Sequence, residues 1–140
     1  MSVYVLDTSA LLTVLNNEPG VGAVLDVLEA ARSGEARVYV PFMALMELEY
    51  MSLRQRSREA TQGILTLVES WPVEIEESTQ EWRHEAARAK AGASISLADA
   101  WMCSLACLLD AELVHKDPEY DGIRGLRALQ LPYKDYKLNS

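Results

Sequence analysis

Short apolar runs and longer stretches of helical period alternate along this chain. VYVL at residues 3–6 reads as a buried strand, and ALLTVLNN as a first helix brought to a stop by Glu18, Pro19 and Gly20. Val21, Val24, Leu25 and Leu28 recur at spacings of three and four, which predicts one buried stripe on a helix running to Arg32, with Gly34 ending it. ARVYVP is a second strand. Pro41 then opens a long helical region through Tyr50 that breaks near Ser57 and resumes to Glu69. WPVEIEE is a third strand, QEWRHEAARAKA an amphipathic helix, GASIS a loop, LADAWMCSLACLLD a mostly apolar helix and AELVHK a fourth strand, with room for a short last strand in ALQLPY.

Strands that alternate with helices imply right-handed crossovers and a mainly parallel sheet covered on both faces. The expected fold is therefore α/β, a three-layer α/β/α sandwich with four or five strands, and 140 residues suit a single domain spanning residues 1–140. In open sheets of this kind ligands bind outside the carboxyl ends of the strands. Asp7 and Asp117 each follow such a strand.

Composition adds the class of molecule. Hydrophobic residues at 49% and charged residues at 24% fit a soluble globular protein. The opening MSVYVLDTS lacks a basic start and a long apolar run, and AWMCSLACLL is far shorter than the ~20 residues a bilayer span requires, so a cytoplasmic protein without a membrane anchor is expected. A net charge of −8 gives a field that repels nucleic acid, so any RNA contact must be local. Arg54, Arg56 and Arg58 are a candidate, though a solvated helix face accounts for them about twice as easily. Cys103 and Cys107, four apart on a helix, read as small core residues, and no zinc-like spacing accompanies them.

Four acids stand among apolar neighbours: Asp7 after VYVL, Glu47 in MALMELEY, Asp99 in ISLADAWM and Asp117 after LVHK. Each has a plain structural use. Asp7 could cap the following helix, Asp117 before Pro118 fits a turn or cap, and Ser96-Leu97-Ala98-Asp99 has the form of a capping box. Glu47 could be an exposed helical residue, with Glu49 a rival for any functional part. Parallel topology, however, brings two strand ends and two helices to one crevice. Carboxylates gathered there repel one another unless a cation neutralises them, and a hard divalent ion suits oxygen donors where Cys and His clusters are absent.

In these segments the chain resembles the PIN domain, and in particular the VapC-type ribonuclease toxins of toxin–antitoxin pairs. LDTSALL is similar to the family's opening strand and first acid, MELEY to its second-acid helix, SLADAWMCSLA to its third and LVHKDPEYD to its fourth. The resemblance implies Asp7, Glu47, Asp99 and Asp117 as the catalytic acids, with Asp7, Asp99 and Asp117 holding Mg²⁺ or Mn²⁺, Ser9 as a supporting hydroxyl and Asp121 as a fifth acid. Many members carry Thr or Ser two residues before the fourth acid, where this chain has His115, read here as a packing or surface histidine.

The activity so implied is hydrolysis of RNA phosphodiesters by metal-activated water, Glu47 positioning water or a second ion. The implied partners are a VapB-type antitoxin, docked near residues 21–32 and 42–56, and a second copy of the chain. Two alternatives stay open. One is a PIN-like module that binds RNA or protein without cleaving. The other is a receiver-like phosphoacceptor, whose pattern needs adjacent acids where this chain has Thr8 and Ser9.

Overall fold

A computed structural model of the chain describes residues 1–133. The elements are β1 (Ser2–Leu6), α1 (Thr8–Leu15), α2 (Val21–Arg32), β2 (Ala36–Pro41), α3 (Phe42–Gln55) and α4 (Arg58–Glu69), followed by β3 (Glu74–Glu76), α5 (Gln80–Gly92), α6 (Leu97–Leu108), β4 (Glu112–His115), a 3₁₀ turn (Pro118–Gly122) and β5 (Arg127–Gln130). The strands form one parallel sheet in the order β3-β2-β1-β4-β5. The chain leaves β1 toward β2 and β3 on one side, then crosses back to β4 and β5 on the other. Right-handed connections put the helices of the outward and return crossings on opposite faces, which makes the expected α/β/α sandwich.

The register fixes the crevice. β1 lies at the point where strand order reverses, with Val5 opposite Tyr39 of β2 and Leu113 of β4, and Leu6 opposite Val114. Val5, Leu6, Leu113 and Val114 are fully buried, as strands covered on both faces must be. The Asp7 amide extends this ladder by donating to the Val114 carbonyl at 3.3 Å. Residues just beyond β1 and β4 therefore emerge side by side.

Local signals explain the helix ends. Ser57 Oγ accepts from the Ala60 amide at 3.0 Å, so the break expected near Ser57 is an N-cap that starts α4. Buried Ser52 and Thr61, joined hydroxyl to hydroxyl at 2.7 Å, tie α3 to α4. Gly20 before α2 has φ +96°, and a Cβ there would lie 2.8 Å from Pro132 Cδ, so both backbone sign and space demand glycine. On the α5–α6 side, Trp82 Nε1 donates to the Trp101 carbonyl and to Ser104 Oγ, at 3.0 and 2.9 Å, while Phe42, Trp82 and Trp101 pack edge to face. Cys103 is core, as expected; Cys107, expected beside it, is exposed. Among the described residues no helix is long and apolar enough to cross a membrane.

Candidate active site

Asp7 caps α1 and also faces the crevice. Its Oδ1 accepts from the Ala10 amide at 3.0 Å and from Ser9 Oγ at 2.6 Å, so both hydrogen bonds fall on one oxygen. Ser9 Oγ accepts in turn from the Lys116 amide at 2.9 Å, which ties the end of β1 to the segment following β4. Thr8 Oγ1 donates to Glu47 Oε1 at 2.6 Å and brings α3 to the same place. The two hydroxyls after Asp7 thus hold one acid each.

Asp99 lies in the first turn of α6, whose N-cap Ser96 accepts from the Asp99 amide at 3.0 Å. Only this half of the capping box forms. The Asp99 carboxylate turns instead to buried Tyr120, whose hydroxyl donates to Oδ1 at 2.9 Å. Asp117 caps the 3₁₀ turn by accepting from the Glu119 amide at 2.9 Å, with Pro118 at the first position. His115 is buried at the end of β4, where Nδ1 accepts from the Asp117 amide at 3.0 Å and the ring meets Tyr120 edge to face. Burial holds its pKa below the ordinary imidazole value, which suits a neutral ring accepting at Nδ1. The expectation of a packing histidine holds, and the ring orients the backbone that presents Asp117.

Burial pushes the Asp7 pKa up to about 7; the bonds from Ser9 and Ala10 oppose this, and the charges of Asp117 and Glu47 add to it. Asp99 is pushed up to about 8, first by burial and then by the Glu119 and Asp117 carboxylates accepting hydrogen bonds from its protonated form, with the Tyr120 hydroxyl opposing. Among the described residues no Lys or Arg forms an ion pair with Asp7, Glu47, Asp99, Asp117 or Glu119. The nearest cation in sequence, Lys116, is buried and reaches Glu18 Oε1 at 3.1 Å. Among the described residues the crevice gathers carboxyl groups without a Lys or Arg ion-pair partner.

Asp7, Glu47, Asp99 and Asp117 are thus linked by hydrogen bonds or by the charge effects just described, while Glu49, the rival of Glu47, is exposed. Asp99, Asp117 and Glu119 each offer an oxygen within 4.8 Å of the others, so Glu119 stands in the cluster although the sequence reading passed over it. Asp121 is exposed at the end of the turn and accepts from the Tyr133 hydroxyl at 2.6 Å. Tyr120 and Thr8 were also missed. A 3₁₀ turn puts residues two and three beyond Asp117 over α6, and Pro118 was the available signal for it. Hard oxygen donors that range from buried Asp99 through half-buried Asp117 to exposed Glu119, with no Lys or Arg ion pair among the described residues, fit a divalent ion such as Mg²⁺ or Mn²⁺.

A parallel α/β sheet with a carboxylate crevice at its topological switch point defines the class of this molecule. Within that class the chain belongs to the PIN domain family, whose model matches residues 4–126. No curated protein sequence matches it significantly. Solved structures share its fold. The crystal structure of VapBC2 from Rickettsia felis bound to a DNA fragment from their promoter aligns with a TM-score of 0.77 at 20% identity, covering 93% of this chain and 99% of that one. DNA-bound VapBC from Salmonella typhimurium aligns with a TM-score of 0.75 at 18% identity, covering 93% and 98%. VapBC-5 from Mycobacterium tuberculosis gives 0.67 at 16% identity, covering 94% and 100%. The receiver-like alternative falls with this family match.

Proposed function

We propose that this chain is a divalent-cation-dependent endoribonuclease and the toxin component of a VapBC-type pair. The observation that carries the reading is the cluster of Asp99, Asp117 and Glu119 at the carboxyl end of the sheet, with buried Asp7 feeling the charge of Asp117 and no Lys or Arg pairing with these acids among the described residues. Asp7, Asp99 and Asp117 would hold Mg²⁺ or Mn²⁺, with Glu119 beside them. When bound, such an ion supplies Lewis acidity, which makes water a better nucleophile and offsets charge on the leaving oxygen.

The protein's own part is placement. Ser9 and the Ala10 amide fix Asp7 through Oδ1 and leave Oδ2 for a ligand. Tyr120 does the same for Asp99. Thr8 holds Glu47 by one oxygen, so the other can accept a proton from, or orient, an attacking water. Among the described residues no Ser-His-Asp or Cys-His arrangement competes as a covalent route, since His115 accepts from a backbone amide, His84 meets Gln80 and the Cys103 thiol donates to the Ala100 carbonyl.

Support for an antitoxin partner comes from the outer face of α3, where Met46, Tyr50 and Leu53 are exposed beside a groove of about 450 Å³. Exposed Leu25 on α2 adds to this within the other expected docking segment. The homodimer competes for the same apolar area, and light scattering of the chain with and without antitoxin separates the two. The central experiment incubates purified chain with RNA in chelator, Mg²⁺ or Mn²⁺. Cleavage restored by metal is expected, together with slowed growth when the chain is expressed alone. Tight metal binding with no RNA cleavage would replace this reading by the non-catalytic module.

A further inference from the structure

Beside the acidic crevice lies a second cavity of about 480 Å³, between α5, α6 and the segment after the 3₁₀ turn. We propose that it is a subsite for the RNA nucleotide adjoining the scissile phosphate, with Arg124 and Arg88 meeting the phosphate and the small apolar lining taking the base or ribose. This rests on the nuclease reading and adds where the strand runs.

Position argues first. Gly122, Ile123 and Arg124 line the cavity and follow directly on the turn that carries Glu119 and Tyr120. Cys103 lines it from α6, four residues after Asp99 and so on the same helix face, about 6 Å along. A strand whose scissile phosphate sits at Asp99 and Asp117 has its next nucleotide within reach of this space.

Charge argues second. On a chain of net charge −8 the bulk field repels RNA, so productive binding needs cations next to the acids rather than anywhere on the surface. Arg124 is exposed at the rim and makes no ion pair or hydrogen bond among the described residues. Arg88 lines the cavity too and pairs with Glu85, the one acid among its described lining residues. The Arg54, Arg56 and Arg58 run lies at the α3–α4 junction and takes no part in this lining.

Shape argues third. A Cβ added at Gly92 or Gly122 meets nothing within 4 Å, so these positions face open space instead of serving close packing. The volume falls in the ordinary range of small-ligand sites, about 300–1,000 Å³. The lining otherwise offers alanine, thiol and isoleucine surface against which a flat ring can lie.

Exposed Cys107 lines the same cavity and is a native reporter, while the Cys103 thiol is buried and pushed up to about 12 by that burial, which keeps it slow to alkylate. The test uses the full chain as Asp7→Asn in Mg²⁺ with a fluorescent, mixed-sequence RNA oligonucleotide, binding followed by anisotropy and Cys107 alkylation by mass spectrometry. Saturating RNA should slow Cys107 labelling severalfold. In the otherwise native enzyme Arg124→Ala should raise KM for RNA about tenfold with kcat and metal affinity unchanged, the size of one charge-assisted phosphate contact. RNA that binds and leaves Cys107 labelling at its free rate overturns the subsite while the nuclease reading stands. So does protection of Cys107 by an antitoxin but not by RNA, which assigns the cavity to a protein. A wild-type chain that neither binds nor cleaves RNA is a different result: it removes the nuclease reading and this subsite together.

Discussion

Two groups of carboxylates in this molecule are treated in opposite ways. At the β2–β3 edge, Glu74 accepts from Arg37 through both oxygens, at 3.1 and 2.8 Å, and both side chains stay about half exposed. At the β1–β4 end, Asp7 and Asp99 are buried and no described Lys or Arg pairs with them. The edge neutralises its own charge in water, where neither ion loses much hydration. The crevice removes charge from water and, among the described residues, supplies hydroxyls and amides but no Lys or Arg ion pair. A fold does not retain uncompensated buried acids for stability, since each costs desolvation free energy. The contrast points to a counter-charge that comes from solution.

The largest way to break the contrast is to remove one of the proposed metal-holding acids. Asp7→Asn and Asp99→Asn should lower metal-dependent cleavage by about 10³-fold or more, the scale of several kcal/mol of electrostatic stabilisation, while circular dichroism stays unchanged. Glu47→Gln should cost far more activity than Glu49→Gln, because Glu47 is held by Thr8 and Glu49 is exposed. The reverse order of the two glutamates would transfer the second-acid role to Glu49.

A smaller effect is expected from the residue that aims Asp99. Tyr120→Phe keeps the ring against His115 and deletes one hydroxyl. Metal affinity, read by isothermal titration, should fall by about 10-fold, as for other groups that orient a ligand. Unaltered affinity would mean that the phenol only fills space.

How far the sequence carried these assignments depended on whether the determining signal was local. The element order was legible because Pro41, Ser57, Gly20 and the apolar periods act within a few residues. The capping box at Ser96 was half legible: the Ser96 bond is local, whereas the choice of Asp99 between its own helix end and Tyr120 depends on a 3₁₀ turn 21 residues away. Glu119 and Thr8 were invisible for the same reason, each acting across a contact that exists only after β1, α3, α6 and β4 assemble. Cys107 shows the converse error, since helical spacing gave the right face for Cys103 without saying that the cavity opens beside the next turn.

The contrast also has a pH signature in metal-free protein. Asp7 and Asp99 are raised to about 7 and about 8, above the unfolded value near 4, so folding binds extra protons. Their full contribution is present below the unfolded value and is lost as pH rises toward the folded ones. Thermal stability in chelator should therefore fall between about pH 4 and pH 8. At pH 7, Asp99→Asn should stabilise the chelated protein by about 1 kcal/mol, well below the full shift because solvent at the crevice mouth screens the charge. Mg²⁺ or Mn²⁺ should stabilise wild type by RT ln(1 + [L]/Kd) and the variant less. A variant destabilised in chelator, with wild type indifferent to metal, would return Asp99 to the role of a helix-end acid.

The smallest effect belongs to the edge, and it is the control that gives the others meaning. Arg37 and Glu74 form a good bidentate pair, yet both are solvated, and exposed pairs contribute little once screening and side-chain ordering are counted. Glu74→Gln should leave RNA cleavage, metal affinity and the pH profile of stability unchanged, with a melting shift smaller than that of Asp99→Asn and smaller still at high salt. The two regions are electrically separate if this holds, because surface charges beyond a Debye length of about 8 Å at physiological salt hardly interact. A change in metal affinity on losing Glu74 would show instead that the crevice responds to the charge of the whole sheet. The buried acids would then reflect a general negative field rather than a locally built cation site.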